Sequence, residues 1–325
     1  MPNILKKLNS FTAMRVKYGS YAVIASGSSA AAGVAGYFGG GLDSSSNYLS
    51  GIDKITFPAD TKTTLSATLT TARQTLAAMA DSGVAGYFGG GSDGANISSI
   101  DKITFPADTK TTLSATLTTI LQQATGMANS GVAGYFGGGA NGPLISGIDK
   151  ITFPADTKTT LSATLTSARR ILAAMANSGT AGYFGGGLTG AGNTDGIDKI
   201  TFPADTKTTL SAVLTTARNG LSGMANSGVA GYFGGGDAPN DNIDKITFPA
   251  DTKTTLSAVL TANNQYLAAM ANNGVAGYFG GGNNAGPSTD RVDKITFPAD
   301  TKTTLSAVLT NARYSGAGMA NSGLL

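Results

Sequence analysis

The sequence predicts an all-β fold, a six-bladed β-propeller of four-stranded blades whose ring is closed by the C-terminal strand. Three observations carry that expectation. The motif Gly-Val/Thr-Ala-Gly-Tyr-Phe-Gly-Gly-Gly begins at Gly33, Gly83, Gly131, Gly179, Gly228 and Gly274, at spacings of 50, 48, 48, 49 and 46. Each copy is followed by a variable loop and a near-constant segment, which in the first repeat reads Ile52-Asp53-Lys54-Ile55-Thr56-Phe57-Pro58-Ala59-Asp60-Thr61-Lys62. A period of roughly 40–50 residues built from short strands is the signature of propeller blades. Finally, the last repeat-length segment closes with Met319-Ala320-Asn321, four residues before the end of the sequence, the signature that precedes every later motif copy but is missing before Gly33.

Four strands are expected per repeat, with Gly, Pro and Asn/Asp as punctuation. In the second repeat strand A spans 75–80, a run of small residues with one Met that suits a crowded axis. Strand B spans 83–88, where glycines permit close backbone approach. Strand C spans 100–105 and strand D 112–117, bringing Ile100, Ile103, Phe105, Leu113 and Leu117 to the space between blades. Pro106, Ala107 and Asp108 make the C–D turn, proline fixing φ and Asp bonding the following backbone. The repeats fill residues 33–325. The last strand A joins strands B to D of residues 33–69, which leaves only short, protected edges.

Residues 1–32 form a separate basic arm. Lys6, Lys7, Arg15 and Lys17 precede the first acid, Asp43, and without these four the chain has one more acid than base. A nearly neutral repeat body lacks the field expected of a nucleic-acid binder. Ile4, Leu8, Phe11 and Met14 follow the spacing of one helix face. Lys6, Lys7, Leu8, Phe11 and Arg15 are the candidate anchoring residues, the alternative being a frayed or surface-packed terminus. No run of about 18 apolar residues occurs, so membrane insertion is not expected.

Every one of the 19 acids is Asp, and His, Cys, Glu and Trp are absent. That removes thiol nucleophiles, thiolate and imidazole metal ligands, disulfides and the usual neutral-pH base. A non-enzymatic protein is expected, without catalytic residues, cofactor or metal. The Gly-rich runs precede no Lys-Ser/Thr pair and do not read as phosphate loops.

Up-and-down blades place the B–C and D–A connections on one face and the A–B and C–D turns on the other. The turns are nearly invariant. The B–C loops (42–51, 92–99, 140–147, 188–196, 237–242 and 283–291) differ in every copy, as do the stretches Gln74-Thr75, Leu121-Gln122-Gln123, Arg170-Ile171, Asn219-Gly220, Asn264-Gln265-Tyr266 and Tyr314-Ser315. Diversity on one face reads as adaptation to an asymmetric partner, or as drift where loops tolerate change. The candidate binding residues are Asn47, Tyr48, Asn96, Asn141, Asn193, Asp195, Asn240, Asp241, Asn284 and Arg291. On the other face, six copies of Asp60-Thr61-Lys62 read either as a ring of charges that seats on a symmetric partner or as ordinary turn chemistry. Strand-C pairs such as Asp53-Lys54 point to opposite faces and read as cross-strand or between-blade ion pairs. The Tyr87-Phe88 pair and its copies read as packing, or as a stacking platform for a sugar or base.

The arrangement resembles the kelch repeat, whose glycine-rich strand end, variable loop, outer strands and Arg are matched by Gly89-Gly90-Gly91, loop 92–99, Ile100-Asp101-Lys102 and Arg73. The resemblance covers residues 33–323. The usual outer-strand Trp is replaced by Leu65 and its equivalents. Near-verbatim copies of the Gly-Tyr-Phe-Gly-Gly-Gly and Ile-Asp-Lys-Ile-Thr-Phe segments look like arrays in structural proteins of tailed phages. This implies a virion location, as capsid decoration or a tail or fibre component, with other virion or surface structural proteins as partners. The alternative is a soluble lectin-like adhesin, extracellular or at a cell surface, that binds glycans through the variable loop face.

Overall fold

A computed structural model of the chain describes residues 14–17, 20–23, 35–119, 121–237, 240–284 and 286–321. It is a closed six-bladed propeller of four-stranded antiparallel sheets. In the order A to D, blade I consists of Ala317–Asn321, Ala35–Gly39, Ile52–Thr56 and Thr61–Thr64, and blade II of Ala77–Asp81, Ala85–Gly89, Ile100–Thr104 and Thr109–Thr112. Blade III runs through Thr125–Asn129, Ala133–Gly137, Ile148–Thr152 and Thr157–Thr160, and blade IV through Ala173–Asn177, Ala181–Gly185, Ile197–Thr201 and Thr206–Thr209. Blade V contains Ser222–Asn226, Ala230–Gly234, Ile243–Thr247 and Thr252–Thr255, and blade VI Ala268–Asn272, Ala276–Gly280, Val292–Thr296 and Thr301–Thr304. The ring closes as the sequence predicts, the C-terminal strand pairing with the first strand B so that Tyr37 faces Met319.

Strands A and B begin two residues later than expected, and strand D begins three residues earlier. The cause of the last shift is local. Asp108 takes φ 55° at the end of the turn, which reverses the chain at once and puts Thr109 opposite Thr104. Leu113 and Leu117 therefore lie beyond strand D, yet Leu117 is buried between blades II and III as its apolar character requires.

Met14, expected on a helix face, opens a strand (Met14–Lys17) that pairs with Ser20–Val23. Arg15 lies in this hairpin; Lys6, Lys7, Leu8 and Phe11 are outside the described residues.

The core is divided into six layers, each shared by two neighbouring blades. Met270 of blade VI packs on Gly36 of blade I so closely that a Cβ at position 36 would stand 1.9 Å from its sulfur. Gly39 in turn receives the ring of Phe88 from blade II. Tyr37 is fully buried, stacks on Phe105 of blade II at 5.0 Å, and donates its hydroxyl to Asp108 of that blade at 2.8 Å. Lys54 reaches the same carboxylate at 2.6 Å while lying over the Tyr37 ring. This Tyr-Lys-Asp contact recurs at all six junctions, ending with Tyr278 and Lys294 on Asp60. The Tyr-Phe pairs are thus packing elements.

A second contact joins each connection to the next blade. The Thr70 amide and hydroxyl and the Thr112 hydroxyl donate to the buried carboxylate of Asp101, and Arg73 pairs with it at 3.0 Å. Arg169, Arg218 and Arg313 repeat the ion pair with Asp198, Asp244 and Asp53. At the two remaining junctions Leu121 and Asn264 occupy the Arg position, and among the described residues Asp149 and Asp293 keep only the threonine donors and a more distant Lys. The strand-C Asp and Lys residues are therefore ion-paired between elements, on opposite faces of the strand.

Around the axis Ala78, Ala174 and Ala269 alternate with Gly126, Gly223 and Gly318. A Cβ on any of these three glycines would stand 2.5 Å from the carbonyl oxygen of the preceding alanine, too close for any side chain. The strands are identical in five-residue register, but the axis has room for a methyl group only on alternate blades.

Candidate functional site

The strand register places the A–B and C–D turns at one end of the blades and the B–C loops with the D–A connections at the other. The first of these faces is occupied by its own hydrogen bonds. Asn321 accepts from Gly83 N–H, Asp81 from Gly131 and Asn129 from Gly179, each bond passing to the next blade. The Asp60-Thr61-Lys62 copies are not a free ring of charges either. Asp60 is held by Tyr278 and Lys294, and Lys62 donates to Thr310 at 2.6 Å and lies 3.9 Å from the buried Asp53.

The variable face differs in construction. Just before each strand A one residue adopts left-handed backbone geometry: Thr75, Gln123, Ile171, Gly220, Tyr266 and Ser315, at φ between 54° and 69°. β-Branched and bulky residues rarely accept this conformation. It is held by a closed circuit in which each of the six amides donates to the carbonyl of the same residue one blade back: Thr75 to Ser315 (2.7 Å), Gln123 to Thr75, Ile171 to Gln123, Gly220 to Ile171, Tyr266 to Gly220, and Ser315 to Tyr266. The circuit surrounds the mouth of a cavity of about 110 Å³ on the axis, whose wall continues down strand A. Because the backbone alone makes the circuit, its six side chains are free to differ, and all six do.

The residue before each circuit member pairs with the B–C loop of the same blade, Gln74 with Ser92, Gln122 with Ala140, Arg170 with Leu188, Asn219 with Asp237, Gln265 with Asn283 and Tyr314 with Leu42. The loops are thereby tied to the mouth. They are also tied to one another. Asn96 donates to Asn141 across blades II and III, and Asn193 donates to Asp237 across blades IV and V. Asp237 additionally accepts from the Asn219 backbone and side chain, and Asn219 donates to Asn193.

Of the residues singled out from sequence, Asn47, Asn141, Asn193 and Asn284 are exposed, as is Tyr48 at 37%. Asn47 is bonded to Asp43 through its amide N–H and side chain, and these bonds hold the Asp43 carboxyl below its ordinary value. Asn96, Asp195, Asp241 and Arg291 are half-buried. The backbone carbonyls of Asp195 and Asp241 accept from Leu214 and Leu260. Asn240 does not face solvent: it is 4% exposed, donates to Thr216 and caps the Asn242 amide, so it holds its loop in place.

The mouth residues were visible in the sequence as variable stretches after strand D, but nothing there showed that they meet on the axis. Tyr266 and Tyr314 come from consecutive connections, and their ring centroids lie 6.4 Å apart at 53°. Burial pushes the Tyr266 hydroxyl above its ordinary value; Asp237 acts in the same direction and Arg170 against it. Aromatic, amide and oppositely charged groups therefore share one side of the mouth.

No protein-family model matches the chain, and no curated protein matches it.

Proposed function

We propose that this chain is a non-enzymatic binding propeller of the kelch-like kind, carried on a virion as capsid decoration or as a tail or fibre component. One observation carries the reading: the residues repeated in all six copies are consumed by contacts between blades, whereas the residues that differ gather on one face. A scaffold held by identical junctions tolerates change in the loops it displays, and binding residues sit characteristically on such loops. The lack of His, Cys and Glu favours recognition over catalysis. The near-verbatim Gly-Tyr-Phe-Gly-Gly-Gly and Ile-Asp-Lys-Ile-Thr-Phe segments, which look like arrays in tailed-phage structural proteins, favour the virion. Other virion or surface proteins are the partners that hold the disc, with the variable face outward. Mass spectrometry across a density gradient of lysate from the native source tests this. Co-sedimentation with particles at a fixed ratio to the shell protein is expected, and recovery only in the soluble or cell-surface fractions rejects the virion assignment.

A further inference from the structure

The variable face carries a more specific site at the axial mouth. Its circuit is the one ring of equivalent positions around the cavity at which all six side chains differ, and the differences are not evenly spread. Tyr266 and Tyr314 stand together where blades VI and I meet. Gly220, the neighbour of Tyr266 in the circuit, has no side chain; a Cβ there would stand 3.2 Å from the Gln265 Cβ and 3.4 Å from the Tyr266 amide nitrogen, so the two connections approach each other closely here. Asn219, Asn193 and Asp237 form a bonded group next to Gly220. Asp237 accepts three N–H bonds and keeps capacity for a further donor, since a carboxylate offers about four acceptor positions. Elsewhere on the cavity wall, Thr75 Oγ1 and Gln123 Oε1 are buried with no hydrogen-bond partner among the described residues. Buried polar atoms of this kind require a partner that the described residues do not supply.

We propose that the axial mouth binds one sugar residue of a glycan, with the Tyr266–Tyr314 pair as the apolar platform and Asp237, Asn193 and Gln265 as the hydrogen-bonding groups for its hydroxyls. The inference rests on the reading of the variable face as the binding face. Three features select this ligand class. Tyr, Ser, Gly and Asn are the residue types that supply rigid aromatic contact and adaptable hydrogen bonding in binding loops. The opposite charges of Arg170 and Asp237 leave the mouth without the excess of positive charge that a phosphate or polyanion needs. The cavity of about 110 Å³ is well below the roughly 300–1,000 Å³ of sites that enclose whole small-molecule ligands. It suits a single ring whose remaining chain runs outward over the loops.

The test is a glycan array probed with the full chain, followed by titration of the best-bound oligosaccharide against two variants. Tyr266→Gly installs the residue that blade V has at the same position, and Tyr314→Gln installs the residue of three other blades. Both are therefore compatible with the backbone, and one serves if the other fails to fold. Each is expected to weaken binding about tenfold or more, as loss of an aromatic anchor does, while Val84→Thr, which installs the residue of blade IV at an exposed position on the opposite face, leaves it unchanged. Glycan binding that neither variant weakens overturns the mouth as the site. An array on which no glycan is bound overturns the ligand class. Neither result bears on sedimentation with particles, which tests the virion reading separately.

Discussion

Six buried tyrosines make the propeller sensitive to alkali. At each junction burial, together with an Asp that accepts the hydroxyl and repels a phenolate, pushes the tyrosine above its ordinary value of 10.0. The unfolded chain loses those protons near pH 10 and the folded chain retains them. Stability from this source is fully present below pH 10 and falls as the pH rises, because the folded state then binds more protons. For one tyrosine the loss by pH 11 is about 1.4 kcal/mol, and for six it is about 8 kcal/mol. That is comparable with the roughly 5–15 kcal/mol that stabilises a typical domain. Equilibrium unfolding in urea at a series of pH values, with tyrosinate absorbance recorded on the same samples, reads both quantities. The expected result is a steep decline above pH 10 in which ionisation of the buried tyrosines and loss of tertiary structure coincide. Tyr37→Phe should make the decline shallower by about one proton's share, which assigns it to the buried tyrosines. Tyrosines that all ionise near pH 10 in a chain that stays folded would refute the reasoning.

Other perturbations bear on the junctions and the ring. Arg73→Leu copies the natural junction at Leu121; Asp101 retains its threonine donors and the buried, unpaired Arg73 Nε is removed, so urea unfolding should show a loss of about 1–2 kcal/mol, below the 3–5 typical of a broken buried pair. Asp101→Ala strands a fully buried guanidinium and should show the full 3–5 kcal/mol; equal losses in the two variants would contradict the account. Gly126→Ala drives a methyl into the carbonyl of Ala78 and should cost about 1–3 kcal/mol or more, whereas Ala78→Gly should cost only about 0.5–1. Removing residues 312–325 deprives blade I of its inner strand and Met319 of its place on Gly86, so thermal melting should show a large drop or loss of the cooperative transition. An unchanged melting curve would mean that the C-terminal strand is not what closes the ring.

The sequence by itself determined the blade count, the strand order and the closure, because near-identical repeats leave few ways to bury their apolar residues and one repeat was visibly split between the two ends. It also separated the constant face from the variable one, since that depends only on chain direction. The roles of the constant residues were only partly legible. Lys54 and Asp108 are separated by more than a repeat, and no spacing within one repeat reveals that a Tyr, a Lys and an Asp from adjacent blades meet on one carboxylate. The Ala/Gly alternation in strand A was present in the sequence, but its cause is the distance between backbones at the axis, a property of the closed ring. The mouth was settled by tertiary structure in the same way. Thr75, Gln123, Ile171, Gly220, Tyr266 and Ser315 share no side-chain chemistry that could have marked them as equivalent. Only the circuit of backbone hydrogen bonds, which exists once all six blades are in place, turns six unrelated residues into one ring.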